Sequence, residues 1–391
     1  MPTRTTPRLL PVSLLACTLA VSPIAAAPAG AGPGITVQDL GTLGGVSSGA
    51  TDVNERGQVV GTSLVANGDR HAFLWERGVM RDLGTLDGLD SYAEAVNDRG
   101  QVVGGATDGT GVLRPFLWER GVMRELPAPA GAWSSAVLVN QRGQVVIWAA
   151  LGDQSHHYLW DRGRITELRV PGTDAWISPT DINDKGWVTG SVVLAPDPVG
   201  RAVLWRDGEV VLLGSPVPPG DGSYARGAAL NEAGQVAATL PAVGDSEVAA
   251  LWQDGGWTLL GSLGGSSDAR DVNEHGTVVG RSFVDGLSHA VLHRDGEVED
   301  LGALDTQWDG SVAHRLNDRE QVIGTVWPSR REGLPRDVLW QDGELHVLPP
   351  LVTDGVTHAL DINERGQVVG HAATGVPGVD HAVLWTTRRG S

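Results

Sequence analysis

Short runs of valine, leucine and alanine recur along the chain, each bounded by clusters of Gly, Asp, Asn and Arg. Runs of this length between turn formers predict β-strands. The three- and four-residue apolar spacing of an amphipathic helix does not appear in this part of the chain. The first unit shows the pattern best. Ala50 to Asn54 predicts one strand, Gln58 to Ser63 a second, His71 to Trp75 a third and Val79 to Leu86 a fourth. Between the first two, Asn54-Glu55-Arg56-Gly57 fits a type I turn, in which Asn bonds the backbone ahead of it and Gly supplies a positive φ. Trp75-Glu76-Arg77-Gly78 predicts a second tight turn.

The unit repeats. The turn asparagine recurs as Asn54, Asn97, Asn140, Asn183, Asn231, Asn273, Asn317 and Asn363, in steps of 43, 43, 43, 48, 42, 44 and 46 residues. A period in the forties with strand patterning indicates propeller blades. The third strand ends in Trp75, Trp118, Trp160, Trp205, Trp252, Trp340 and Trp385, with His293 alone breaking the series. One large aromatic at a fixed place in each unit predicts packing of blade on blade. Asn54, Gly57, Trp75, Asn97, Gly100, Trp118, Asn183, Gly186, Trp205, Asn363, Gly366 and Trp385 are therefore read as structural positions. The chain opens with a lone fourth-strand copy, Val37 to Leu43, and its last unit stops at Trp385 without one. The N-terminal strand is thus expected to complete the last blade and remove a free sheet edge. These features predict an all-β chain forming a single eight-bladed propeller of four-stranded antiparallel blades over residues 35–386. Seven blades plus an irregular unit is the alternative, since the units at Asn140 and Asn231 lose parts of the pattern.

Three segments carry a resemblance: Asp39-Leu40-Gly41-Thr42-Leu43-Gly44-Gly45, Asn54-Glu55-Arg56-Gly57-Gln58-Val59-Val60-Gly61 and His71-Ala72-Phe73-Leu74-Trp75. Together they resemble the HAF repeat of extracellular bacterial proteins, over about Ile35 to Trp385. The resemblance implies an extracellular repeat scaffold and no common activity or catalytic residues. Arg114-Pro115-Phe116, Arg201-Ala202-Val203 and Val248-Ala249-Ala250 depart from the His-Ala-Phe triplet, which argues that these positions are structural preferences.

The ends and the charge set the compartment and the partners. Arg4 and Arg8, the apolar stretch Leu9 to Ala26 and the small residues Ala25-Ala26-Ala27 read as a signal peptide over 1–27. A short Pro/Gly/Ala linker (28–34) follows, and 387–391 form a C-terminal tail. Pro11 and Pro23 interrupt the apolar run, and no later stretch reaches the roughly 18 apolar residues of a membrane span. The one cysteine, Cys17, follows Leu14-Leu15-Ala16, a loose lipobox, and lipid anchoring there is a minor alternative to secretion. Cleavage near Ala27 leaves a chain without cysteine, so disulfides do not stabilise it. The full chain has 29 basic and 47 acidic residues. Loss of Arg4 and Arg8 leaves 27 basic against 47 acidic, a net charge of −20, which repels nucleic acid and anionic lipid.

No catalytic residue, metal site or cofactor is expected. Asp52 to Gly57, Asp181 to Gly186, Asp271 to Gly276 and Asp361 to Gly366 share the spacing Asp-x-Asn-x-x-Gly with a calcium loop. Their fifth residue is Arg56, Lys185, His275 or Arg365, and the closing glutamate is missing; the turn already accounts for Asn and Gly. No His-Glu-x-x-His, Gly-x-Ser-x-Gly elbow or phosphate-binding loop occurs. The longer connections between blades fall on the face opposite the tight turns, and loops on a rigid scaffold usually carry function. There Tyr92, Trp133, Trp176, Tyr224 and Trp308, interleaved with Asp90, Asp174, Asp221, Asp305, Asp309 and Asp354, are candidate ligand-binding residues around the channel mouth; covering the channel rim or packing between blades is their alternative role. These features predict a secreted, monomeric, non-catalytic binding module for an extracellular glycan or protein ligand. A polysaccharide hydrolase or lyase using two loop aspartates, and a cell-surface structural repeat protein, are the alternatives.

Overall fold

The computed structural model describes residues 34–194, 199–216, 225–242, 246–304, 308–328 and 333–387. Residues 1–33, with Cys17, and Asp221, Tyr224, Asp305 and the tail from 388 lie outside them, as does the side chain of Asp309. The described residues form eight four-stranded antiparallel sheets and no helix. Seven sheets are continuous in sequence: 44–82, 87–125, 133–168, 176–212, 226–261, 267–300 and 308–347, called blades 1 to 7. Blade 8 takes its three inner strands from 357–387 and its outer strand from Ile35–Asp39, which pairs with Asp380–Thr387. The chain ends thus close the ring as expected.

Blade 1 shows how sequence sets each strand. Its inner strand is Gly44–Val53, six residues longer at the start than the apolar pattern indicated, while its outer strand, Val79–Asp82, is shorter. The outer strand stops where Asp82 accepts the N–H of Gly84 at 2.7 Å and Gly84 takes φ 78°. The first turn is closed by Gly57 N–H donating to the Asn54 carbonyl at 3.0 Å, with Gly57 at φ 75°. Arg77 and Gly78 both have positive φ, the two-residue hairpin turn that matches strand twist. Every inner strand carries one bulge at the same repeat position, between Ala50 and Asp52 in blade 1 and between Ala359 and Asp361 in blade 8. The bulge turns two nearby side chains towards the central channel.

The core lies between blades. Trp75 packs with Val369 and Leu384 of blade 8, Trp118 with Val60 and Leu74 of blade 1, and Trp385 with Ile323 and Leu339 of blade 7. Each tryptophan reaches the preceding blade. His293, in the same position of blade 6, is buried and its Nδ1 lies 3.1 Å from the Leu260 carbonyl of blade 5.

Two rings of hydrogen bonds fasten the turn ends of the inner strands. The buried Asn54 donates its Nδ2 to the carbonyl of Asn97, Asn97 to that of Asn140, and so on through Asn183, Asn231, Asn273, Asn317 and Asn363 back to Asn54, at 2.8–3.3 Å. Seven of these Oδ1 atoms also accept the N–H two residues on, as Asn97 does from Arg99 at 3.0 Å, and that of Asn231 accepts the Gln235 N–H at 2.9 Å. One residue further along, Glu55 N–H donates to Asp98, Asp98 to Gln141, Gln141 to Asp184, and the series returns from Glu364 to Glu55. The step from blade 8 to blade 1 has the geometry of the other seven. Asn140 and Asn231 take part like the rest, so their units are full blades, and the seven-plus-one alternative does not apply.

Among the described residues no helix is long and apolar enough to cross a membrane.

Candidate functional site: the central channel

Three positions on each inner strand, five, three and two residues before the ring asparagine, include in blades 5 to 8 most of the residues that line a cavity. In blades 1 to 4 the first two are small or neutral with one exception: Gly49, Tyr92, Ser135 and Ser178, then Thr51, Glu94, Val137 and Thr180. In blades 5 to 8 they are Arg226, Asp268, Val312 and His358, then Ala228, Arg270, His314 and Leu360. A cavity of about 620 Å³ lies on this second side, lined among others by Arg226, Arg270, Arg281, Arg315, His314 and His358. Its acids are Asp268 and Asp337. Four arginines thus gather in a protein of net charge −18.

The arginines are held in place. Arg281 donates Nε to Asp268 Oδ2 at 2.7 Å and lies 5.1 Å from the Phe283 ring centre. Arg270 donates Nε to Asp268 Oδ1 at 3.3 Å. Its Nη1 lies 3.3 Å from His314 Nδ1, and a guanidinium only donates, so Nδ1 carries no proton. His314 then donates Nε2–H to Thr325 Oγ1 at 3.1 Å, and Thr325 donates to Asp337 Oδ1 at 2.8 Å. Asp337 Oδ2 accepts the N–H of Ala359 at 2.7 Å, tying the chain to blade 8. Burial, helped by Arg270 and Arg315, pushes the His314 pKa down to about 4, so the ring is neutral at neutral pH. Arg226 pairs with Glu247 at 2.8 Å.

Beneath the cavity, two residues before the ring asparagine, stand Asp52, Asp181, Asp271 and Asp361. Asp52 accepts N–H groups from Val53 and from Val96 of the next blade; Asp181 does so from Ile182 and Leu230, and Asp271 from Val272 and Leu316. Asp361 reaches Val53 of blade 1. The aspartate of the Asp-x-Asn-x-x-Gly pattern is therefore a clasp between neighbouring inner strands. Burial raises the carboxyl pKa values of Asp52, Asp181 and Asp271, that of Asp271 to about 7. Asp52 is raised further by Asp361, its neighbour across the seam. Arg315 extends into the channel near all four aspartates, which hold its own pKa up against burial. Among the described residues no group of three or more His, Cys, Asp or Glu side chains is arranged to hold a metal ion.

The aromatic candidates are not arranged as a set. Trp133 and Trp176 begin inner strands and are 56% and 67% exposed. Trp308 also begins an inner strand but packs partly against the core between blades 6 and 7. Tyr92 lies well inside its strand, half-buried opposite Gly105. Tyr224 falls outside the described residues. The four described aromatics belong to strands and not to connections, because the inner strands extend further toward the loop face than their apolar pattern shows. Asp90 accepts the N–H of Arg70, and Asp354 pairs with Arg336 at 3.6 Å. No hydrogen bond links two of the loop aspartates among the described residues. The repeated His71, His289 and His381 each pair with an outer-strand aspartate, Asp82, Asp300 and Asp39 respectively, the last fixing the N-terminal strand.

The cavity arginines escaped the motif reading because they belong to no motif. Their signal was present as departures from the repeat: Arg226, Arg270, His314 and Arg315 stand where other units carry small, neutral or acidic residues.

No family model and no curated protein sequence matches the chain. Solved structures do match. Dipeptidyl peptidase 4 of Porphyromonas gingivalis aligns at 9% identity and a TM-score of 0.56, over 86% of this chain and 56% of that one. The β-propeller domain of the Trilobed protease from Pyrococcus furiosus aligns at 13% identity and 0.49, over 78% of this chain and 98% of that one. The BP39L lectin of Burkholderia pseudomallei aligns at 12% identity and 0.43, over 78% and 99%. At these identities the likeness is one of fold.

Proposed function

We propose that this protein is a secreted, non-catalytic binding module of the kind its HAF-like repeats resemble, with its ligand lodged in the channel cavity between blades 5 and 8. The observation that carries this reading is the asymmetry of the wall: a regular repeat builds eight near-equivalent inner strands, and apart from Glu94 the charged departures gather on one side, around a cavity of about 620 Å³. A volume in this range suits a small ligand or the end of a larger one. The scaffold supplies rigidity, since each inner strand is clasped to the next. An extracellular glycan or protein end group is the expected occupant. Export is tested by N-terminal sequencing of the secreted protein, expected to start near residue 28.

The binding test is an array of glycans and peptides probed with the mature protein, with Ala228→Trp, and with the double variant Trp133→Ala/Trp176→Ala. Ala228 lines the cavity, so a tryptophan there fills it. Binding abolished in Ala228→Trp and kept in the double variant supports the channel site. The reverse pattern moves the site to the exposed tryptophans.

A further inference from the structure

Resting on the reading that the channel cavity is the binding site, we infer that its ligand is a small organic anion whose carboxylate or phosphate group is held by Arg270 and Arg281. The two guanidiniums share Asp268 through their Nε atoms, 3.3 Å and 2.7 Å from its two oxygens. That contact fixes both planes and leaves their outer nitrogens for another partner. Among the described residues the two Nη atoms of Arg281 meet no acceptor, and Arg270 uses only Nη1, on His314. Planar forks with fixed orientation match a two-oxygen anion and lose little entropy on binding it.

The surroundings favour this occupant. The His314 Nδ1 lone pair is already taken by Arg270, so it does not face an incoming anion. Asp337 is occupied by Thr325 and the Ala359 N–H. The lining holds four arginines against two aspartates, while Arg315 is balanced by the aspartates beneath and Arg226 by Glu247. That leaves Arg270 and Arg281 against Asp268 and Asp337, a locally neutral set, so the draw on an anion comes from the unused guanidinium N–H groups and suits one small anion, not a polyanion. The purely structural role of the same network, an ion-paired wall between blades 6 and 7, predicts that removing Arg270 changes stability and leaves binding untouched.

The experiment is isothermal titration of the mature protein, and of Arg270→Gln and Arg270→Lys, with D-glucuronate, glucose 6-phosphate and D-glucose. The expected result is that at least one of the two anions binds about tenfold or more tighter than glucose, and weakens with salt. Arg270→Gln lowers that affinity about tenfold in a protein that still unfolds cooperatively in urea, and Arg270→Lys, which keeps charge without the fork, falls between. Glucuronate alone binding identifies a carboxylate, glucose 6-phosphate alone a phosphate. Equal binding of glucose, unchanged affinity in Arg270→Gln, or no binding of either anion overturns the inference. A neutral array ligand whose binding is lost in Ala228→Trp would overturn only the anion and leave the cavity reading standing.

Discussion

Replacing one ring asparagine tests whether the blades are clasped through side chains or merely stacked. Asn97 is 1% exposed. Its Nδ2 donates to the Asn140 carbonyl at 3.0 Å and to Gln101 Oε1 at 2.7 Å, and its Oδ1 accepts from Arg99 at 3.0 Å and Gln101 at 3.1 Å. Asn97→Ala removes all four bonds and strands the buried N–H of Gln101. With about 1 kcal/mol for a typical net bond and about 1–3 kcal/mol for a buried group left unpaired, a loss of about 3–5 kcal/mol is expected. Asn97→Asp separates the two roles. It keeps the acceptor for its own turn but replaces the inter-blade donor with a carboxylate facing the Asn140 carbonyl. It should therefore lose about 2 kcal/mol or more at neutral pH, and recover part of that as acid restores an O–H donor. Urea unfolding followed by tryptophan fluorescence reads these differences, with the exposed-side change Arg99→Ala as a control within about 0.5 kcal/mol of wild type. An Asn97→Asp protein as stable as wild type would refute the clasp, because the side chain would then serve only its own turn.

Two further outcomes follow from the seam and the aspartate layer. Deleting residues 28–40 from the mature protein removes Ile35–Asp39, leaves Asp380–Thr387 as an open edge and unpairs His381; light scattering should show association and urea unfolding a lower midpoint, whereas a monomer of unchanged midpoint argues against closure by this strand. Burial raises the Asp271 carboxyl from 3.8 to about 7, so folding favours its protonated form; its contribution is full below about pH 4 and is lost as pH climbs through 7. The stability of wild type relative to Asp271→Asn should accordingly fall between pH 4.5 and 8, and a flat or rising difference contradicts the assignment.

The fold was legible because each blade repeats the same local instructions. Asn54 with Gly57, the Trp75 series and the lone Val37–Leu43 strand fixed turn, blade contact and closure from residue types alone. Strand ends were less legible: nothing in the apolar pattern of Gly44 to Ser48 marks it as strand, since glycine and serine there are held by neighbouring blades, as Ser48 is by Ala382 N–H and the Gly41 carbonyl. The asparagine ring was half visible. The turn role of Asn54 follows from its own neighbours, whereas its donation to Asn97, 43 residues on, depends on how blades sit together. The site was hardest to see. Tryptophans drew attention to the loop face, while Arg270, Arg281 and His314 are ordinary residues within strands, and only the closed ring brings blades 5 to 8 around one cavity. Aligning the units and looking for charged residues at normally neutral positions would have picked out Arg226, Arg270 and His314.

A ligand in the channel is tested most directly by a crystal structure of the mature protein soaked with glucuronate and, separately, with glucose 6-phosphate. Density for an anionic group is expected between Arg270 and Arg281, on the side of the channel walled by blades 5 to 8. A ligand seated instead on Trp133 and Trp176, with the arginine cavity holding only water, would contradict this placement.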